Sequence, residues 1–114
     1  MKKFALGAVA LIATTAGANA EWLGKASYYD LKGRTASGSH VGPLTCAHRT
    51  LPFGSKVLVT NLKNNRTIVV TVNDRGPFTK GRVIDVSSQA AHALGFHSDG
   101  VTHVKVEHLT EAAR

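Results

Sequence analysis

The sequence predicts a mainly β chain that closes into a small barrel carrying one short helix. Three observations lead there. Six short strand-like runs, at 25–29, 44–47, 56–61, 67–73, 82–86 and 101–107, are separated by turn residues. Only one segment carries helix signals. An open sheet of six such strands would leave unpaired edges, which closure removes.

The elements follow in order. The first twenty residues read as a secretory signal peptide: Lys2-Lys3 is a basic start, an apolar stretch runs over 4–13, and Ala18-Asn19-Ala20 is a small-x-small cleavage signal. That stretch is shorter than the roughly 20 apolar residues a membrane span needs. The expected organisation is therefore a leader over 1–20 and one barrel domain over 21–114, since the remaining length suits one core. No cysteine stands at the cleavage point to support a lipid anchor, so a secreted, periplasmic protein is expected. Residues 33–43, with Gly33, Gly38, Gly42, Pro43, Ser37 and Ser39, read as a loop, and loops on small barrels are where ligands are met. Residues 61–66 supply a longer hairpin turn between two runs. Ser87 or Ser88 is the N-cap of the helix, 89–94 is rich in helix formers, and Gly95 supplies the stop.

Thr71-Val72-Asn73-Asp74-Arg75-Gly76-Pro77-Phe78 is the most informative segment. Ile68, Val70 and Val72 alternate with Val69, Thr71 and Asn73, the period of a strand with two distinct faces. Asp74 sits where the ladder stops, because Pro77 lacks an N–H and displaces its predecessor from helical geometry. A carboxylate projected from such a turn is a candidate functional acid; the alternative is that Asp74 only closes its own turn. His48 likewise lies where a strand gives way to a turn. Cys46 is the only cysteine, so no internal disulfide forms, and its small apolar surroundings suit a buried thiol. A Cys46–His48 nucleophile lacks an orienting partner. The remaining histidines, His40, His92, His97, His103 and His108, show no zinc-site spacing, so neither metal nor cofactor is expected. Asp85 either faces the barrel mouth or helps cap the helix; Asp30 and Asp99 sit in turn-like surroundings.

Without Lys2 and Lys3 the chain carries twelve Lys and Arg against seven Asp and Glu, a net charge of +5. Such an excess favours polyanionic partners. Export argues against nucleic acid, as does the lack of basic runs interleaved with aromatics. Anionic cell-envelope polymers remain as partners, with mere solubility as the alternative.

Several ordered segments resemble the rare lipoprotein A (RlpA-like) family: 24–29, Gly33-Arg34-Thr35-Ala36-Ser37-Gly38, Leu44-Thr45-Cys46-Ala47-His48-Arg49-Thr50-Leu51-Pro52, Val59-Thr60-Asn61-Leu62, Val72-Asn73-Asp74-Arg75-Gly76-Pro77-Phe78 and Gly81-Arg82-Val83-Ile84-Asp85-Val86-Ser87. The resemblance covers 24 to about 107 and implies a six-stranded double-psi β-barrel with one short helix. It also implies an endolytic lytic transglycosylase acting on peptidoglycan strands stripped of their peptides. In that reaction the bond between N-acetylmuramic acid and N-acetylglucosamine breaks as the muramic 6-hydroxyl closes onto its own anomeric carbon, leaving a 1,6-anhydro end. Two-carboxylate glycosidases activate water or form a covalent intermediate, whereas an intramolecular hydroxyl supplies high effective concentration. One carboxyl then suffices, if it carries a proton part of the time near neutral pH.

The resemblance places the functional Asp on Asp74 and the functional His on His48. The family commonly carries a Glu after the Gly matched by Gly38; here that position is Ser39, and the loop up to Leu44 is shorter. If that Glu is the principal acid, this chain binds glycan without cutting it; if Asp74 is the acid, activity survives. Ser39 and Asp85 are then expected to contact substrate. Arg34, Arg49, Arg75 and Arg82 are candidates for holding the lactyl carboxylates of muramic acid. Arg75 could instead pair with Asp74 or Asp85, and Tyr28, Tyr29 or Trp22 could stack on sugar faces. The competing readings of the chain, expected to be monomeric, are a non-catalytic, expansin-like peptidoglycan-binding module and an inhibitor or interaction protein.

Overall fold

The computed structural model describes residues 20–29 and 44–110. Outside them lie the leader apart from Ala20, the 33–43 loop with Arg34, Ser39 and His40, and Asp30. The described residues form β1 (Glu21–Tyr29), β2 (Thr45–Ala47), β3 (Lys56–Asn61), β4 (Thr67–Asp74), β5 (Arg82–Ser87), α1 (Ser88–Leu94) and β6 (Val101–Leu109). The six strands close in the order β1-β5-β2-β4-β3-β6, each with two neighbours.

Two pairs, β1–β5 and β2–β4, are parallel, and the other four are antiparallel. Parallel neighbours need crossing connections that a simple hairpin series never makes. This mixed, closed six-stranded barrel is the expected architecture. Four of the strands, β1, β4, β5 and β6, run one to four residues longer than the sequence pattern indicates, because cross-strand pairing carries them past the points where alternation fades, while β3 coincides with its expected run and β2 is one residue shorter. β1 thus begins at Glu21, paired with Glu107, and β4 reaches Asp74.

Alternation builds the core. Val57 and Val59 of β3, Val70 and Val72 of β4, Ile84 and Val86 of β5, and Val104 and Val106 of β6 point inward with Ala26 and Cys46. Their chain neighbours point out, so Val69, though β-branched and apolar, is exposed. α1 has two turns and would be marginal alone; tertiary contacts hold it. Ser87 caps it, its Oγ accepting from the Ala90 N–H at 3.2 Å, and Gly95 ends it at φ 79°, a left-handed conformation. A Cβ at Gly95 would stand 2.8 Å from Asn64 Nδ2, so glycine is needed on two counts.

Buried Asn61 ties helix, hairpin and β6 together. Its Nδ2 donates to the Leu94 carbonyl at 2.9 Å, while Oδ1 accepts from the Lys63 N–H at 3.0 Å and from Thr102 Oγ1 at 2.9 Å. Its N–H donates to the Arg66 carbonyl at 2.8 Å, closing the 61–66 hairpin. Asn61→Ala strands several buried polar groups at once, and should cost about 2–4 kcal/mol in urea denaturation. Val69→Thr, on the outer face, should stay within about 0.5 kcal/mol.

Candidate functional site

β2 is three residues long and lies between β4 and β5. Ala47 is the Cα partner of Asp74 on one side and of Asp85 on the other, and Asp85 is in turn the partner of Ser27. Ser27, Asp85, Ala47 and Asp74 therefore form one row across β1, β5, β2 and β4. Alternation fixes where the row faces: Ala26, Cys46, Ile84 and Val86, their chain neighbours, are fully buried in the core, so Ser27, Asp85 and Ala47 turn away from it, Ser27 and Asp85 half-buried and Ala47 covered, at 5% exposure.

Asp74 joins them through a break in register. Cys46 pairs with Val72, yet the next residue, Ala47, pairs with Asp74 rather than Asn73. Uninterrupted alternation would send Asp74 inward after Val70 and Val72. The extra residue returns it to the face of Ala47. Asp74 and Asp85 are both half-buried there.

Polar contacts organise this face. The Ser27 hydroxyl donates to Asp85 Oδ1, and the phenol of Tyr29 is hydrogen-bonded to Thr45 Oγ1 at 2.9 Å. Burial, the largest influence, pushes the Tyr29 phenol above its usual range; the Thr45 bond opposes this, and negative charge at Cys46, Asp74 and Asp85 adds to it. One phenol thus feels both carboxylates. Burial, followed by Asp85, pushes the Cys46 thiol up to about 12, so it stays protonated and is not a nucleophile at neutral pH.

His48 occupies a different niche. The residue is 2% exposed, and its ring meets Trp22 edge-on at 4.5 Å between centroids. The Thr50 and Leu51 N–H groups donate to its Nδ1, each at 3.2 Å. The neutral ring therefore carries its proton on Nε2. Burial, then the charges of Arg49, Arg75 and His108, pull it down to about 4. With Trp22, Arg49, Thr50 and Val83 it lines a pocket of about 240 Å³. Its link to Asp74 runs through the main chain: the His48 N–H donates to the Asp74 carbonyl at 3.2 Å.

The turn after β4 joins these parts. The Arg75 N–H donates to Asp74 Oδ1 at 2.9 Å. The Arg75 guanidinium donates to the His48 carbonyl at 3.2 Å and sits 4.1 Å over the ring of Phe53. Arg49 reaches the Arg82 carbonyl at 3.4 Å. Gly76, at φ 121°, leads through a cis peptide bond into Pro77 and the exposed Phe78.

The structure thus gathers Asp74, Asp85, Arg75 and Tyr29 on or beside one outer face, with His48 and Arg49 at the adjoining barrel end. Ser39 lies outside the described residues. Tyr28 stacks on His97 at 4.4 Å and packs edge-on to Phe96, so it belongs to the helix end of the barrel. Among the described residues, no three His, Cys, Asp or Glu side chains gather as a metal site. Sequence reading passed over Ser27, Thr45, Ala47 and Phe53. The parity of Ser27 and Ala47 against buried Ala26 and Cys46 marks their face, but only the strand order makes them neighbours.

Comparison with known proteins bears on this arrangement. A family model described as lytic transglycolase matches residues 22–106. The probable endolytic peptidoglycan transglycosylase RlpA of Synechocystis sp. is 50% identical over 102 residues, covering 88% of this chain and 31% of that protein. The chain therefore spans about a third of the length of that curated relative. Among solved structures, the Streptomyces papain inhibitor superposes with a TM-score of 0.66 at 27% identity, covering 80% of this chain and 96% of that one. An expansin of Clavibacter michiganensis gives 0.65 at 22% identity, covering 81% and 52%, a likeness of fold. The closed mixed barrel and the family match over 22–106 together mean that this chain belongs to the lytic transglycolase family of double-psi β-barrels and is RlpA-like.

Proposed function

We propose that this chain is an exported, periplasmic endolytic transglycosylase that cleaves peptide-free peptidoglycan between N-acetylmuramic acid and N-acetylglucosamine, leaving 1,6-anhydro ends. Asp74 is the proton donor to the leaving oxygen. The observation that carries this reading is the position of Asp74: at the end of β4, half-buried, turned to the outer face by the register break and joined through Arg75 to His48 and Phe53. A half-buried carboxyl can both hold a proton and be reached from solvent by a polymer strand.

His48 acts as a positioning residue. Neutral and pinned by two amides, it fixes the 48–51 turn, and its own N–H holds the Asp74 carbonyl. Arg49, Arg75 and Arg82 surround this end and supply cations for the lactyl carboxylates that recur along denuded glycan. The barrel works as a monomer and needs no cofactor, because the nucleophile is the substrate's own hydroxyl.

Replacing Asp74 with Asn and digesting denuded sacculi tests the role of the acid by mass spectrometry of the products. Loss of a general acid costs about 10²–10⁴-fold, so anhydro-ended products should drop by about that factor while the melting temperature holds. Undiminished product would refute the role. A wild-type protein that sediments with denuded glycan yet releases no anhydro ends would instead establish the binding-module reading.

The position of His48 predicts a pH dependence of stability. Its folded value of about 4 lies below the usual 6.5, so the unfolded chain takes up the proton first. The stabilisation is complete above pH 6.5 and is lost as pH falls towards 4, a change of up to about 3 kcal/mol. Denaturation at stepped pH should show this slope, and His48→Gln should flatten it.

A further inference from the structure

Two exposed aromatic rings flank the end of β4. Among the described residues Phe96 is fully buried, whereas Phe53 is 41% and Phe78 is 77% exposed. The other exposed large apolar side chains are aliphatic, and one of them, Leu62, stands on the 61–66 hairpin at the opposite end of β4 from Asp74. A single exposed apolar residue is ordinary. Two phenylalanines beside one carboxylate call for a reason.

Hydrogen bonds hold both segments in place. The Gly54 N–H donates to the Val72 carbonyl at 2.8 Å and the Val72 N–H to the Ser55 carbonyl at 2.9 Å, which pins the segment after Phe53 along β4. The Arg75 guanidinium covers the Phe53 ring. Phe78 differs. Its ring leans over Gly76, where a Cβ would stand 3.6 Å from Cε2, and it has no aromatic or cationic partner among the described residues. Gly76 is two residues from Asp74, at most about 7 Å of extended chain. Pro77 fixes its own φ just before the ring. The turn after Phe78 is tied down as well: the Arg82 N–H donates to the Thr79 carbonyl and the Lys25 N–H to the Gly81 carbonyl, each at 3.0 Å. A bare apolar ring is thus held in water on a short anchored segment, close to the proposed acid.

We propose that Phe78 is a stacking platform for a pyranose ring of the glycan, holding the strand against the end of β4 where Asp74 gives its proton. The inference rests on the reading of this end as a glycan site and names what grips the sugar there. In a β-1,4-linked, gluco-configured strand the ring substituents are equatorial, so each pyranose face presents axial C–H groups and is apolar. Those hydrogens suit the negative face of an aromatic ring, and the contact removes apolar surface of both partners from water. Phe78 carries no hydrogen-bonding group, so it takes the flat sugar and leaves the lactyl carboxylate to the neighbouring arginines. A platform fixed before binding loses little freedom when the strand arrives.

Four variants test the platform, with thermal melting as the check on folding. The first readout is calorimetric titration with a neutral β-1,4-linked N-acetylglucosamine oligomer, which lacks the lactyl carboxylate; the second is KM and kcat for release of anhydro ends from denuded glycan. Phe78→Ala should weaken oligomer binding at least about fivefold and raise KM by a similar factor, with kcat little changed. Phe78→Tyr keeps the flat face and should stay within about twofold of wild type. Phe78→Leu keeps apolar bulk without the flat face and should behave as Phe78→Ala does. Leu62→Ala, at the far end of the barrel, should match wild type in both readouts. Wild-type affinity in Phe78→Ala or in Phe78→Leu, or an unchanged KM in Phe78→Ala, overturns the assignment, as does a wild-type protein that fails to bind the neutral oligomer. Binding that depends on Phe78 without any anhydro ends keeps the platform and overturns the transglycosylase reading instead.

Discussion

The register break between β2 and β4 decides which side of the barrel Asp74 occupies, and the account of the site depends on it. Val70 and Val72 are core residues, so a strand continuing in step would bury the carboxylate among valines, where an ionised acid is heavily penalised. One unmatched residue, Asn73, turns the chain so that Asp74 pairs with Ala47 instead. The fold thereby keeps an apolar interior and an acid on the outside within two residues of the same strand. The shortness of β2 contributes to this. With three residues, it bridges β4 and β5 and passes at once into the turn that holds His48.

The electrostatics divide along the same line. The interior and the barrel end favour uncharged forms: Cys46 keeps its proton and His48 loses its own, each chiefly because burial disfavours charge. The outer face holds the carboxylates, and the guanidinium of Arg75 spans the two regions, touching the His48 carbonyl and the Phe53 ring. The interior groups are held uncharged, and the outer row keeps its carboxylates half-buried.

Much of the fold was legible from local pattern. Alternation over 67–73 marks β4, Gly95 ends the helix, and the turn residues at 61–66 form the hairpin that Asn61 closes. The capping role left open between Ser87 and Ser88 falls to Ser87. Barrel order was not legible, because parallel partners such as β1 and β5 lie far apart in the chain and no local signal pairs them. The motif resemblance supplied the closed double-psi barrel, and the structure its strand order. The same limit applies to the site. Asp74 was identifiable from the turn after it, but the relation of Asp85 to Asp74 exists only through Ala47, and alternation alone would have placed Asp74 inside. His48 stood out in sequence, yet its backbone partners and its Trp22 neighbour emerge only once the barrel end is assembled.

The central claim is that this barrel face cuts a glycan by letting the sugar attack itself. Digestion of peptide-free glycan by the wild-type protein in water enriched in heavy oxygen addresses it most directly. The account predicts new 1,6-anhydro ends that carry no heavy oxygen. New reducing ends bearing the label, or no new ends at all, would contradict it.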